Sequence, residues 1–303
     1  MKIKRLTIGQ VGTIQVNIPY LEIGSGSPRG VIMAVQHGGE LSPLWVIKKI
    51  LAKQKFLKGT AVIVPIINIF GMLFSSRNEA IEGKDLNRSF PGNPSGDFTS
   101  RLALAITSLC KKADFVIDLH TFSRQTPIIA GFTLDKTKNQ TKLFAMTTFF
   151  SPEAIWIVDR KRKEDQRFFG TLDESLNKIG ISSIFIEMPN YQSVSDKQIS
   201  KICDGILNIF RLWKKPFSSS AFAKIPKFTA TYFYSDLSGL FEPKVKPMTK
   251  IKKGQMIGTT TILPSYLTIP IKSPKGGVVL TIKGRDVVRT GTKLLSIGTE
   301  IDL

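Results

Sequence analysis

From about residue 30 to residue 213 the chain alternates short, continuously apolar runs with stretches whose apolar residues recur every three or four positions. The continuous runs, at 31–36, 60–66, 114–118, 127–131 and 183–187, are rich in Val, Ile and Phe, as strands buried on both faces require. Helix-period stretches lie between them. Ser42-Pro43 opens one that Lys58-Gly59 stops near residue 57, and Thr99 or Ser100 caps the next, to about 112. Further helices are expected from Phe168 to Lys178, with Gly180 as the stop, and from 195 to 213. At the N-terminus, MKIKRLTIGQVGTIQVNIPY alternates apolar with polar residues and reads as a strand pair leading to a Gly24-Ser25-Gly26 turn. Strands alternating with helices predict an α/β fold.

Two stretches break the pattern. Residues 67–98 show little periodicity and contain GKDLNRSFPGNPSGD, a long loop by its Gly, Pro and Asn content. In a compact domain a structureless segment of that length is usually either functional or disordered. Residues 214–223, KKPFSSSAFA, read as a linker, and beyond it come short β-runs separated by Gly and Pro with no helical period. The expected organisation is therefore an α/β domain over 1–215 and a small all-β domain over 216–303.

Composition narrows the class without naming a partner. The 43 Lys and Arg outweigh 23 Asp and Glu, a net charge of +20, and 13 of the basic residues fall in 224–303 against 5 acidic ones. The excess is thus spread along the chain, which makes a broadly positive surface and favours anionic ligands. No basic arm, zinc finger or RNA-binding signature accompanies it, so no specific nucleic-acid partner is expected. Cys110 and Cys203 form no CxxC pair, which points away from a disulfide framework and toward a reducing, cytoplasmic setting. No continuous apolar h-region follows the N-terminal basic residues. The longest apolar run, 60–74, is too short to span a bilayer and contains Pro65 and Asn68, so no membrane association is expected.

Only two histidines are present, and each ends an apolar run beside an acidic residue: VIMAVQHGGE at 31–40 and FVIDLHT at 115–121. Neutral imidazole with carboxylate is a preferred zinc ligand set. His37 and Glu40 follow one candidate strand and His120 follows another, so all three could meet at the carboxyl end of the sheet, where α/β proteins place ligands. Asp118 either orients a ligand from behind or takes local hydrogen bonds at its strand end.

HGGE, the run Asp85-Leu86-Asn87-Arg88-Ser89-Phe90-Pro91-Gly92, Asp118-Leu119-His120-Thr121 and Glu187 in SSIFIE occur in the order seen in the succinylglutamate desuccinylase/aspartoacylase family. These proteins are relatives of the zinc carboxypeptidases. The resemblance runs almost end to end, since the family's C-terminal β-domain is similar to 225–300. It implies a zinc-carboxypeptidase-like mixed sheet flanked by helices, with a C-terminal barrel-sandwich-like domain that walls the entrance to the cleft. It also implies one zinc per chain on His37, Glu40 and His120, with Glu187 as the catalytic acid/base. Asn87 and Arg88 would hold the carboxylate of an N-acyl amino acid, a task that suits a planar guanidinium. Arg77 occupies the place of a second arginine near the scissile carbonyl; a solvated loop arginine is the alternative, and Arg124 could serve instead.

The chemistry is consistent with that assignment. Zinc with three protein ligands lowers the pKa of a water to about 7, and a carboxylate such as Glu187 can carry the proton to a leaving nitrogen. The expected function is hydrolysis of the amide of a small anionic N-acylated compound, with homo-oligomerisation left open. Two alternatives stand beside it: a zinc carboxypeptidase-type peptidase, and a catalytically silent basic protein that binds polyanions. Two departures from the family pattern bear on pocket shape. Val35 stands where glycine is common, and Met188-Pro189-Asn190 follow Glu187 where glycines are common.

Overall fold

A computed structural model describes residues 1–11, 13–122, 126–134, 139–215 and 224–302. The linker expected at 214–223 therefore lies, from residue 216, outside the described residues, as does Arg124.

The period-two N-terminus forms a hairpin, β1 (Lys2–Val11) and β2 (Ile14–Gly24). Next come β3 (Arg29–Ala34), α1 (Ser42–Ala52), β4 (Thr60–Val64), α2 (Ile69–Leu73), α3 (Phe98–Cys110) and β5 (Phe115–Thr121). Then follow β6 (Ile129–Leu134), α4 (Gln140–Thr148), β7 (Ala154–Asp159), α5 (Leu172–Lys178), β8 (Ser182–Met188) and α6 (Asp196–Leu212). The remainder is all β: β9 (Lys227–Tyr234), β10 (Gly239–Pro243), β11 (Lys250–Ile251) and β12 (Met256–Ile262). It closes with β13 (Leu267–Lys272), β14 (Gly277–Ile282), β15 (Asp286–Val288) and β16 (Lys293–Glu300).

Among the described residues, twelve strands form one mixed sheet in the order β1-β2-β4-β3-β5-β8-β6-β7-β9-β16-β14-β11. The five central apolar runs are its interior. β3, β4 and β5 are parallel and essentially buried throughout, as a strand covered by helices on both faces must be. Side chains of α1, α4 and α6 pack with one face of these strands, and side chains of α3 and α5 with the other. β9 pairs with β7 in parallel, so strands from the C-terminal part continue the same sheet; β13, β12, β10 and β15 form a second, antiparallel one. Among the described residues no helix is long and apolar enough to cross a membrane.

Several elements differ from their sequence patterns. The helix opened by Ser42-Pro43 ends at Ala52 and gives way to a 3-10 turn over Gln54–Phe56, and α3 is capped by Asp97, whose side chain accepts from Ser100 N at 2.9 Å. The helix expected from Phe168 is two elements, a 3-10 segment Lys163–Phe168 and α5. β7 and α4 lack a clear period because β7 is buried in five of its six positions and α4 is short and only weakly amphipathic. The stretch 67–98 is not structureless: Asn68 caps α2 by accepting from Gly71 N at 2.8 Å, and Leu86–Arg88 form a 3-10 turn.

Candidate active site

At the carboxyl end of β3 the chain lies between β4 on one side and β5 on the other, a switch point in strand order at which a crevice opens. Val35 leaves β3 with φ +55°, a left-handed conformation that a β-branched residue adopts only under strain. That is the physical reason glycine suits this position, and it turns Gln36 and His37 out of the strand direction. Gly38 is obligatory for another reason: a Cβ there would lie 1.9 Å from Gly71 O, because the α2 segment packs directly on the turn. Glu40 N donates to His37 O at 3.0 Å and closes the turn.

His120 does not follow β5 but lies within it, so its side chain and that of Asp118, two residues earlier, share one face of the sheet. His120 is also in register with Glu187 on β8. One donor atom from each of His37, Glu40 and His120 lies within 4.8 Å of the others, and the two imidazole centroids are 5.3 Å apart. Glu40 sits between the rings, with Oε1 2.7 Å from His37 Nδ1 and Oε2 3.0 Å from His120 Nδ1. The opposite nitrogen of each ring meets another carboxylate: His37 Nε2 lies 3.2 Å from Asp85 and His120 Nε2 2.8 Å from Asp118. Asp118 also accepts from Gln36 Nε2. Carboxylates behind the rings fix the tautomer that presents both Nδ1 atoms, an arrangement typical of histidines that hold zinc. The donor set therefore fits a divalent metal held by His37, Glu40 and His120.

The electrostatics follow from this packing. Burial would raise the Glu40 carboxyl, but the imidazoles of His37 and His120 outweigh it and hold Glu40 well below the usual range. Asp85 is likewise lowered against burial, by the His37 hydrogen bond and the Arg77 charge. Glu187 moves the other way: burial raises it, His120 opposes, and the Glu40 charge adds to the rise. One of its carboxylate oxygens, Oε2, is buried with no hydrogen-bond partner among the described residues.

The loop arginines are placed by Asp85. Arg77 Nη2 donates to Asp85 at 3.1 Å, and its Nη1 approaches Glu40 at 3.9 Å. Asn87 N donates to Asp85 at 2.9 Å, while Asn87 Oδ1 accepts from Leu172 N at 3.0 Å. The Arg88 guanidinium lies over the Phe168 ring at 5.5 Å. All the residues expected at the site, His37, Glu40, Arg77, Asn87, Arg88, His120 and Glu187, line one inner cavity of about 70 Å³. It opens into a vestibule of about 770 Å³ that Arg77 and Arg88 share with Arg167 and Lys283. Met188-Pro189-Asn190 shape the exit from β8: Met188 is buried, Pro189 O accepts from Ser42 Oγ at 2.7 Å, and Asn190 faces the vestibule.

Trp156, Asp173, Tyr232 and Lys293 are among the lining residues that escape a motif reading. Lys293, at the start of β16, holds its ammonium 3.9 Å from the Phe122 ring centre and 4.1 Å from that of Tyr232. Burial in this neck pushes it down to about 7, against the pull of Glu187. No local pattern marks a lysine more than a hundred residues after Glu187 as part of the same cavity; only the continuation of the sheet into β9 and β16 brings it there.

Comparison with known proteins gives the family and the fold. The succinylglutamate desuccinylase/aspartoacylase catalytic-domain profile matches residues 27–213. The N-alpha-acetyl-L-2,4-diaminobutyric acid deacetylase of Halomonas elongata is 25% identical over 263 residues, spanning 81% of this chain and 74% of that protein. Among solved structures, the product-bound ectoine utilization protein EutE (DoeB) of Ruegeria pomeroyi superposes with a TM-score of 0.78 at 20% identity, covering 94% of this chain and 89% of the other. A succinylglutamate desuccinylase/aspartoacylase of Rhodobacter sphaeroides does so with a TM-score of 0.77 at 18% identity, covering 98% and 94%. At these identities the structures establish the shared fold.

Proposed function

Because the chain belongs to the succinylglutamate desuccinylase/aspartoacylase family, whose members hydrolyse amide bonds, we propose that it is a zinc-dependent deacylase of small N-acyl amino acids. The observation that carries this reading is the convergence of His37 Nδ1, Glu40 and His120 Nδ1 in the cavity that also holds the unpartnered Oε2 of Glu187. Zinc on those three residues would supply Lewis acidity, lowering the pKa of a water toward about 7 and polarising the scissile carbonyl.

The remaining work falls to the protein. Glu187 accepts the proton of the attacking water on its free carboxylate oxygen and passes it to the leaving nitrogen. Burial raises its carboxyl, which favours taking the proton up, while the charges of His120 and Lys293 oppose that rise. Arg77 stands near Glu40 and contributes positive charge where the carbonyl oxygen becomes an anion. Arg88 and Asn87 anchor the carboxylate of the amino-acid half, with Arg88 braced by Phe168. The positive vestibule raises the local concentration of such anions without selecting among them.

The Halomonas relative is named for removing an acetyl group, so N-acetyl amino acids are the first compounds to try. The test is elemental analysis for zinc together with hydrolysis of N-acetyl, N-succinyl and N-formyl amino acids, followed by amine release. About one zinc per chain with turnover of at least one series supports the reading. A zinc-loaded protein that hydrolyses none of them and instead binds polyanions with steep salt dependence would refute it.

A further inference from the structure

Cations and aromatic rings are packed together at the neck between the inner cavity and the vestibule. The Lys293 ammonium lies against the Phe122 and Tyr232 rings, and the Arg167 guanidinium lies 4.3 Å from the centre of that same Tyr232 ring. Lys293 lines both spaces, whereas Arg167 lines the vestibule only. The two come from distant parts of the chain. Arg167 belongs to the 3-10 segment ahead of α5, and Lys293 starts β16, in register with Tyr234 of β9.

Among the described residues neither cation forms an ion pair. Arg167 donates from Nε to Glu164 O, and its Nη1 lies 3.4 Å from the Tyr234 hydroxyl. Glu187 attracts Lys293 without pairing with it. The other charges around them are already matched: Glu40 and Asp85 face the histidines and Arg77, and Lys283 pairs with Asp286 at 2.8 Å. A ring face steadies a cation but supplies no counter-charge, and two half-buried cations against one ring repel each other. An oxyanion shared between them satisfies both.

Resting on the deacylase reading for its place in the reaction, we propose that Arg167 and Lys293 form a second oxyanion site at this neck, separate from the Asn87-Arg88 pair. Its ligand is the anionic end of an acyl chain or a free inorganic phosphate that takes the same place. The guanidinium fork, the ammonium and the Tyr234 hydroxyl, which also lines the vestibule, are all donors suited to such a group. Asn87, His120 and Glu187 line the inner cavity and not the vestibule, so a group held by Arg167 lies on the outer side of them. A neutral acyl chain leaves both cations unmatched. Arg167 and Lys293 are thereby specificity-determining residues, one of them supplied by the C-terminal β-strands.

The test gives the zinc-loaded enzyme N-malonyl, N-succinyl and N-glutaryl L-alanine, each beside the compound whose terminal carboxylate is replaced by a carboxamide, at fixed ionic strength. In at least one pair the carboxylate should lead in kcat/KM by about tenfold or more, and Arg167→Met and Lys293→Met should each cut that lead about tenfold. Lys246→Met, which removes a charge from an exposed lysine lining neither space, should leave the lead in place. Calorimetric titration with inorganic phosphate reads the free-anion source without turnover. Affinity should fall about tenfold in both site variants and hold in Lys246→Met. Dependence on Arg167 in the kinetics assigns the site to the acyl end, and dependence in the titration alone assigns it to a free anion. The proposal is overturned if neither the lead nor the phosphate affinity depends on Arg167. Should Lys293→Met fail to fold by its melting temperature, Arg167→Met decides alone. Turnover without any such dependence sinks this site and spares the deacylase reading; Arg167-dependent phosphate binding with no turnover of any N-acyl amino acid does the reverse.

Discussion

Asp118 holds His120 from behind: its carboxylate lies 2.8 Å from His120 Nε2, and the two residues are neighbours but one on the same buried strand. Because alternate residues of a strand point to one face, the pair is aligned by the backbone itself. The histidine then presents Nδ1 to Glu40 without having to search for a tautomer.

Asp118→Asn keeps the shape of that support but exchanges a charged acceptor for a neutral amide. Zinc affinity should fall about 10–100-fold, read by competition with a chromogenic chelator. Unchanged affinity would show that the metal set does not depend on the carboxylate.

Glu187→Gln should retain zinc and lose turnover by about a hundredfold or more. The wild-type pH profile carries a second signature: an acid limb of kcat/KM that belongs to the Glu187 carboxylate should be missing from the residual activity of Glu187→Gln. A limb that persists unchanged in the variant would argue that another group takes the proton.

Arg88→Ala should raise KM for carboxylate-bearing substrates on the order of tenfold, the worth of one charge-assisted contact, and should barely affect the matching N-acyl amides. Steady-state kinetics on paired acid and amide substrates separates the cases. An equal loss for both would show that Arg88 supports the loop and not the substrate.

Asp97→Ala removes the N-cap of α3 and should cost about 1 kcal/mol near neutral pH. Asp97 is held below the usual aspartate range by its hydrogen bond with Lys84 and by the Ser100 amide. A carboxyl lowered in the folded state contributes stability above its unfolded pKa and loses it as pH falls. The difference in urea stability between wild type and variant should accordingly shrink from pH 6 toward pH 3. A gap that stays constant over that range would mean the cap acts without its charge.

Much of the site is legible in the chain because its chemistry is local. His37 and Glu40 share one turn, and Asp118 and His120 share one strand, so spacing proposes their partnership, while the loop of Asp85, Asn87 and Arg88 is marked by the family resemblance. The parallel core is legible for a similar reason: strands buried on both faces must be apolar without interruption. The boundaries are less so, since β7 and α4 carry no clear amphipathic period and α2 is a short helix held by Asn68 and by packing on Gly38.

The order of residues by itself determined which groups can take part in chemistry, the α/β core, and the two-histidine, one-glutamate set. Only the tertiary structure decided that Lys293, Tyr232, Trp156 and Asp173 join them in one cavity. Those four are brought together by sheet pairing between distant strands and by the packing of α5, and side-chain packing at long sequence separation leaves no periodic trace along the chain.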